Sequence, residues 1–351
     1  MKIAIIAITR NGARLGARLS EGLPGSGLYI PPKLGDHVRC PATVFPECLK
    51  DLMARLWRTV DGLICLMASG IVVRMIAPHL EGKDRDPAVV VMDDAGKFAV
   101  SLLSGHLGGA NRLAEECARL TGATPVITTA TDANGLPSFD SIARGQGWVI
   151  DDLSRVKVLN SLLLEDAEIA VVDPTGQVEQ SCCGRGKLTF HSDFQAALRS
   201  GAQGFLFVTN RRLPPQVQSP RLLVLHPRNL VLGIGCNSGT SAEEIEEVVL
   251  TNLKRLFLSI KSVRSIATAA AKRDESGLLA VAEKYDLPVV FYESGELNAI
   301  RTPTPPSPHA LEAIGANGVA EPAALLASGN GNLILKKVKS GNVTLAVAEI
   351  P

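Results

Sequence analysis

The stretch LLSGHLGGANRLAEE, residues Leu102–Glu116, sets one imidazole, one hydroxyl and three glycines between a hydrophobic run and a helical pattern. An imidazole with an ordinary pKa near ~6.5 changes charge at physiological pH. His106 can therefore take and return a proton, the work of a general acid–base. Ser104 stands two residues earlier without a G-x-S-x-G frame, so its hydroxyl reads as a hydrogen-bond donor before it reads as a nucleophile. Gly105, Gly108 and Gly109 leave backbone N–H groups bare, and Asn111 adds an amide. Downstream, TTATD supplies the hydroxyls of Thr128, Thr129 and Thr131 and the carboxylate of Asp132. Two further small-residue stretches precede helical patterns: ASGIVVR, with Ser69, Gly70 and Arg74, and GIGCNSGT, with Gly233, Gly235 and Cys236. Free N–H groups at helix starts favour phosphate or carboxylate. Taken singly, each glycine loop is explained by a tight strand-to-helix turn. Four polar stretches at strand exits together point to a cleft for an anionic ligand.

These stretches are positioned by alternating strand and helix patterns, which predict an α/β fold. Lys2–Ile8 is a buried strand, followed by an amphipathic helix near Asn11–Glu21. The strand Gly62–Ala68, the helix from Ser69, and two strands flanking the DDAGK turn come next. The strand Pro125–Thr128 then leads into TTATD as an exit loop. Three domains are expected: a wound α/β sheet domain over 1–147, a smaller α/β domain over 148–227, and a third α/β domain over 228–351. The third opens with the strand Leu230–Ile234 and closes with a hairpin, Leu333–Val338 and Val343–Ala348.

Composition narrows the function. The formal charge is +1 and aromatics are 4% of the chain, which argues against a nucleic-acid or membrane-surface protein. No apolar stretch reaches the ~20 residues of a membrane span, and the first residues read as a strand rather than a secretory signal. The seven cysteines form no C-x-x-C pair and the six histidines have no metal-ligand spacing. A reduced, cytoplasmic protein without a resident metal is expected. GIGCNSG lacks both the G-K-[ST] of a phosphate loop and the spacing of a dinucleotide fingerprint. No acid occurs from Phe194 to Ala242 or from Val248 to Arg273, although both stretches carry several arginines and lysines. Such clustering either faces a polyanion or forms a solvated face.

The long segment PHLEGKDRDPAVVVMDDAGKFAVSLLSGHLGGANRLAEECARLTGATPVITTATD resembles the signature region of the CbiG family, the cobalt-precorrin-5A hydrolases of anaerobic cobalamin biosynthesis. LGIGCNSGTSAEEIE, GVAEPAALLAS and LILKKVKSGNVTLAVA resemble that family's carboxy-terminal domain, which also occurs as the stand-alone CobE type. Asn237 and Ser238 stand where the family usually carries basic residues. The resemblance implies an anionic cobalt-tetrapyrrole substrate lined with carboxylates, with cobalt carried by the substrate and no protein cofactor. It adds Lys83 and Glu321 to the substrate-binding residues and gives His106, Ser104 and Asp132 catalytic roles. The implied reaction opens the ring-A δ-lactone and releases acetaldehyde, giving cobalt-precorrin-5B. A non-catalytic tetrapyrrole carrier or chaperone is the competing reading. A homodimer, or transient contact with neighbouring pathway enzymes, is compatible with either.

Overall fold

The computed structural model describes every residue of the chain except 83 and 84. Two compact units result, Met1–Ile142 and Ala143–Pro351.

The first unit is built on seven strands: β1 (Ile3–Ala7), β2 (Ser26–Ile30), β3 (Ala42–Val44), β4 (Gly62–Leu66), β5 (Ala88–Met92), β6 (Phe98–Leu103) and β7 (Thr124–Val126), ordered β3-β2-β1-β4-β5-β6-β7. Because successive side chains point to opposite faces, the apolar runs of β1, β4 and β5 require cover on both sides. Ile5, Ile64 and Val90 pack beneath the helices Arg10–Gly22 and Ala110–Thr121. Ile6, Leu63, Val89 and Val91 pack beneath Leu49–Trp57 and Ser69–Ile76. Ile5 and Ile6 are completely buried, each contributing roughly 1.5–3 kcal/mol.

One feature of this sheet decides where the loops lie. The β5–β6 turn makes β6 antiparallel to β5, pairing Met92 with Ala99 and Val89 with Leu103. Strand β7 then runs parallel to β6. The exits of β6 and β7 therefore lie at the end of the sheet where β4 and β5 begin, not where those strands finish.

In the second unit, β8 (Val149–Ile150), β9 (Ile169–Val172), β10 (Leu188–Phe190), β11 (Gly204–Val208) and β12 (Leu222–His226) form one sheet, ordered β10-β9-β11-β12-β8. A second sheet has the order β15-β14-β13-β17-β16 and contains β13 (Leu230–Cys236), β14 (Val263–Ala269), β15 (Val289–Tyr292), β16 (Asn332–Ser340) and β17 (Val343–Glu349). The expected terminal hairpin is β16–β17. Polar bonds tie the two sheets into one unit. The Asn210 side-chain amide donates to Glu349 at 2.7 Å, and Lys261 Nζ donates to the Asp151 carbonyl at 2.7 Å and to its carboxylate at 2.9 Å. Among the described residues, no helix is long and apolar enough to cross a membrane.

Candidate active site

The glycine loop after β6 turns sharply because its backbone packs on itself. The Ala110 and Asn111 N–H groups donate to the Ser104 and Gly105 carbonyls, both at 3.1 Å. A Cβ on Gly108 would lie 2.3 Å from that of Ser104, so no larger residue fits there without moving the loop. Gly109, at φ 87°, caps the helix Ala110–Thr121 in the left-handed region where only glycine is unstrained. Ser104 itself sits at φ 57°.

Asn111 is buried at the start of that helix and fixes the neighbouring groups. Its Oδ1 accepts from Ser101 Oγ at 2.7 Å, while its Nδ2 donates to Thr129 Oγ1 and to Asp132 Oδ2, both at 2.9 Å. Asp132 is presented by a single helical turn, Ala130–Ala133, within the stretch that the sequence reads as an exit loop; β7 ends at Val126, before Thr128. Thr129 precedes that turn in extended conformation and Thr131 lies within it.

His106 lies between two carboxylates. Its Nε2 is 2.6 Å from Asp132 Oδ2 and 3.3 Å from Thr131 Oγ1. Its Nδ1 is 3.0 Å from Ser138 Oγ and 3.4 Å from Asp140 Oδ1. Ser138 also donates to Asp140 and accepts from the Ser141 N–H at 3.3 Å, opening the helix Phe139–Gln146. The side chains of His106 and Asp140 are 10% and 4% exposed, but that of Asp132 is 40% exposed. Asp132 is thus the member of the group that water or a ligand reaches, with the imidazole behind it.

Burial by itself disfavours the imidazolium, but the hydrogen bonds and charges of Asp140 and Asp132 outweigh that penalty and raise the His106 pKa above its ordinary value. A raised histidine pKa adds stability that is fully present below the unfolded value of ~6.5 and disappears as pH rises through the folded value. The same shift governs chemistry if the neutral ring is the base. The rising limb of kcat/KM against pH is expected above pH ~6.5. Asp140→Asn removes one of the stabilising charges and should move that limb to lower pH. An unmoved limb in that variant would detach the titrating group from His106.

Ser104 opens the glycine loop. Its Oγ is buried and has no hydrogen-bond partner among the described residues, so none of them is in place as a base to activate it as a nucleophile. Ser69, Gly70 and Arg74 are exposed and follow β4, at the opposite end of the sheet from the His106 loop. Their expected grouping on one sheet edge is corrected by the reversal of β6. The Arg74 guanidinium donates to the Gly70 carbonyl at 2.9 Å. Thr128 is exposed beside β7, and Lys83 lies outside the described residues.

In the second unit, Gly233 and Gly235 are buried within β13 rather than in its exit loop. A Cβ on Gly233 would fall 1.8 Å from the Ala320 carbonyl oxygen, and one on Gly235 would fall 2.6 Å from Thr344 Oγ1. The helix Ala320–Ala327 and strand β17 require these glycines on packing grounds alone. Cys236 is half-buried at the end of β13, and burial raises its thiol pKa. Glu321 is fully buried, and both its carboxylate oxygens are engaged: Oε1 by the Lys337 N–H at 2.9 Å and Oε2 by Thr304. Among the described residues, no three His, Cys, Asp or Glu side chains are grouped to hold a metal ion.

Sequence reasoning missed Ser101, Ser138 and Asp140. The available signal was the serine and aspartate of PSFDS opening a helical pattern, but that pattern reads equally as an ordinary helix start.

A wound α/β sheet carrying a carboxylate-flanked imidazole beside a glycine loop has the parts of an acid–base enzyme. Residues 51–132, 137–227 and 230–348 match the family models described as cobalamin synthesis G N-terminal, cobalamin biosynthesis central region and cobalamin synthesis G C-terminus. The chain belongs to the cobalamin synthesis G, or CbiG, family. A Priestia megaterium relative named cobalt-precorrin-5A hydrolase is 39% identical over 99% of this chain and 95% of its own. One of the same name from Salmonella typhimurium is 30% identical over 98% of this chain and 97% of its own. Protein CobE from Sinorhizobium is 34% identical over 34% of this chain and 79% of its own.

Proposed function

We propose that this protein is a hydrolase of cobalamin biosynthesis acting on cobalt-precorrin-5A. Full-length similarity to two relatives of that name supports the assignment. The observation that carries the chemistry is the His106 imidazole held between Asp132 and Asp140, with Asp132 exposed.

The reaction opens the ring-A δ-lactone and then expels the former meso carbon. Water adds to the lactone carbonyl, giving a carboxylate and a free hydroxyl. Loss of the hydroxyl proton forms the carbonyl of acetaldehyde, breaks its C–C bond to the macrocycle, and leaves the bonding electrons there. Both steps need a proton acceptor, and the Asp132–His106 pair serves in each: Asp132 meets the proton, and His106 shares it across the 2.6 Å bond. The buried Ser138–Asp140 side holds the ring's orientation and stabilises its cation. Backbone N–H groups of the glycine loop and the Thr128 hydroxyl are the donors for the developing oxyanion. Cobalt enters and leaves with the tetrapyrrole, the protein supplies no cofactor, and the enzyme works in the cytoplasm.

Incubation with cobalt-precorrin-5A should release one acetaldehyde per substrate consumed. Metal analysis of the pigment-free protein should find no stoichiometric cobalt. Binding of pigment without acetaldehyde would instead identify a carrier.

A further inference from the structure

The two acid-free stretches, 194–242 and 248–273, meet inside the second unit. Arg211 and Arg212, in the segment after β11, face Lys254 from the helix Ala242–Arg255 and Lys261 from the turn Ile260–Ser262 across a cavity of about 650 Å³. Among the described residues, Asp151 is the one acid on its wall, leaving four cations against one carboxylate, an excess of three. That carboxylate is already committed. The His226 imidazole at 3.7 Å and the Lys261 ammonium at 2.9 Å hold it well below the usual carboxylate range.

Arg211 is also partly engaged, donating to the Leu256 carbonyl at 2.9 Å. The exposed side chains of Arg212 and Lys254 have no hydrogen bond or ion pair among the described residues. Leu213, Leu250 and Ile260 add apolar wall to the same cavity, and Leu250 is 37% exposed. Exposed cations around an apolar wall fit a ligand with several carboxylates on an apolar body better than a compact inorganic anion.

We propose that this cavity is a second binding site for an anionic tetrapyrrole, gripping its carboxylate edge with Arg212 and Lys254 while the ring lies on the leucine wall. None of its lining residues belongs to the His106 group. The inference rests on the substrate class proposed above.

The test uses the full chain and three probes: uroporphyrin III, with its many side-chain carboxylates, its uncharged methyl ester, and inorganic pyrophosphate. The Arg212→Glu/Lys254→Glu variant should bind uroporphyrin at the cavity at least tenfold more weakly, read as the shift of that site's Kd in a full titration. Added salt should weaken this site in the wild type. Melting of the double variant should be unchanged because both side chains are exposed, and His106→Asn should keep the site. The ester should not occupy it, and pyrophosphate should not displace the porphyrin. Unchanged porphyrin binding in the double variant overturns the proposal, as does displacement by equimolar pyrophosphate, which would make this a phosphate site. Acetaldehyde release, measured in parallel, separates the two readings: its absence in the wild type sinks the proposed reaction, whereas the porphyrin titration still judges the cavity.

Discussion

His106→Asn is expected to lower acetaldehyde release by roughly 10²–10⁴-fold, the range for loss of a general acid–base. Asparagine keeps a hydrogen-bonding group but cannot share the proton of Asp132. The substitution also withdraws the imidazolium from Asp140, whose side chain is only 4% exposed. The variant should therefore melt below the wild type, most clearly at pH values under ~6.5, where the histidine's stabilising charge is fully present. Turnover must accordingly be measured per folded molecule, beside thermal melts across pH. A histidine with a purely structural role predicts the lower melting temperature together with intact turnover per folded chain, and that result would remove His106 from the mechanism. Ser104→Ala makes the contrast. With its Oγ buried and no base on it among the described residues, Ser104 should cost about one to two orders of magnitude at most, through the position of the glycine loop rather than a bond to substrate. Complete loss of turnover in a folded Ser104→Ala protein would instead indicate covalent catalysis.

Gly233→Ala should be among the most destabilising single changes in the second unit, by about 3 kcal/mol. The added methyl would meet the Ala320 carbonyl oxygen at 1.8 Å and Ala324 Cβ at 2.9 Å. Neither obstacle is the free end of a flexible side chain. The helix Ala320–Ala327 lies directly on β13, and Ala320, Ala323 and Ala324 are buried there, so the strand and helix would have to move apart. Gly235→Ala should cost less, since Thr344 Oγ1 at 2.6 Å can rotate away. Denaturant unfolding of both variants checks the ranking. If Gly233→Ala melts like the wild type but loses ligand, the glycine belongs to a binding surface rather than to packing.

The order of strands and helices was legible in the sequence because burial on two faces demands continuous apolar runs, as in IAIIA and AVVVM, and because helices covering them need a periodic apolar stripe. The glycine loop and His106 were legible for a similar local reason: small residues between a strand and a helix mark a tight exit. Other properties depended on residues far apart in the chain. Which sheet end each loop occupies followed from the reversal at β6, whose pairing of Val89 with Leu103 carries the His106 loop away from Ser69 and Arg74. Strand exits that look alike in sequence therefore fall on opposite edges. The character of His106 also came from tertiary structure. Ser138, 32 residues downstream, and Asp140 beyond it close on Nδ1, while Asp132 closes on Nε2. An isolated histidine sequence position specifies only an ordinary imidazole. Two carboxylates packed against a mostly buried ring reverse the penalty of burial and favour its cation. The acid-free stretches follow the same logic: sequence counts their charges, but only folding brings Arg211 and Arg212 to the cavity wall that holds Lys254 and Lys261. Local patterns record which groups a segment carries, whereas pKa and binding depend on distances between segments, and those distances are set by packing of the whole unit.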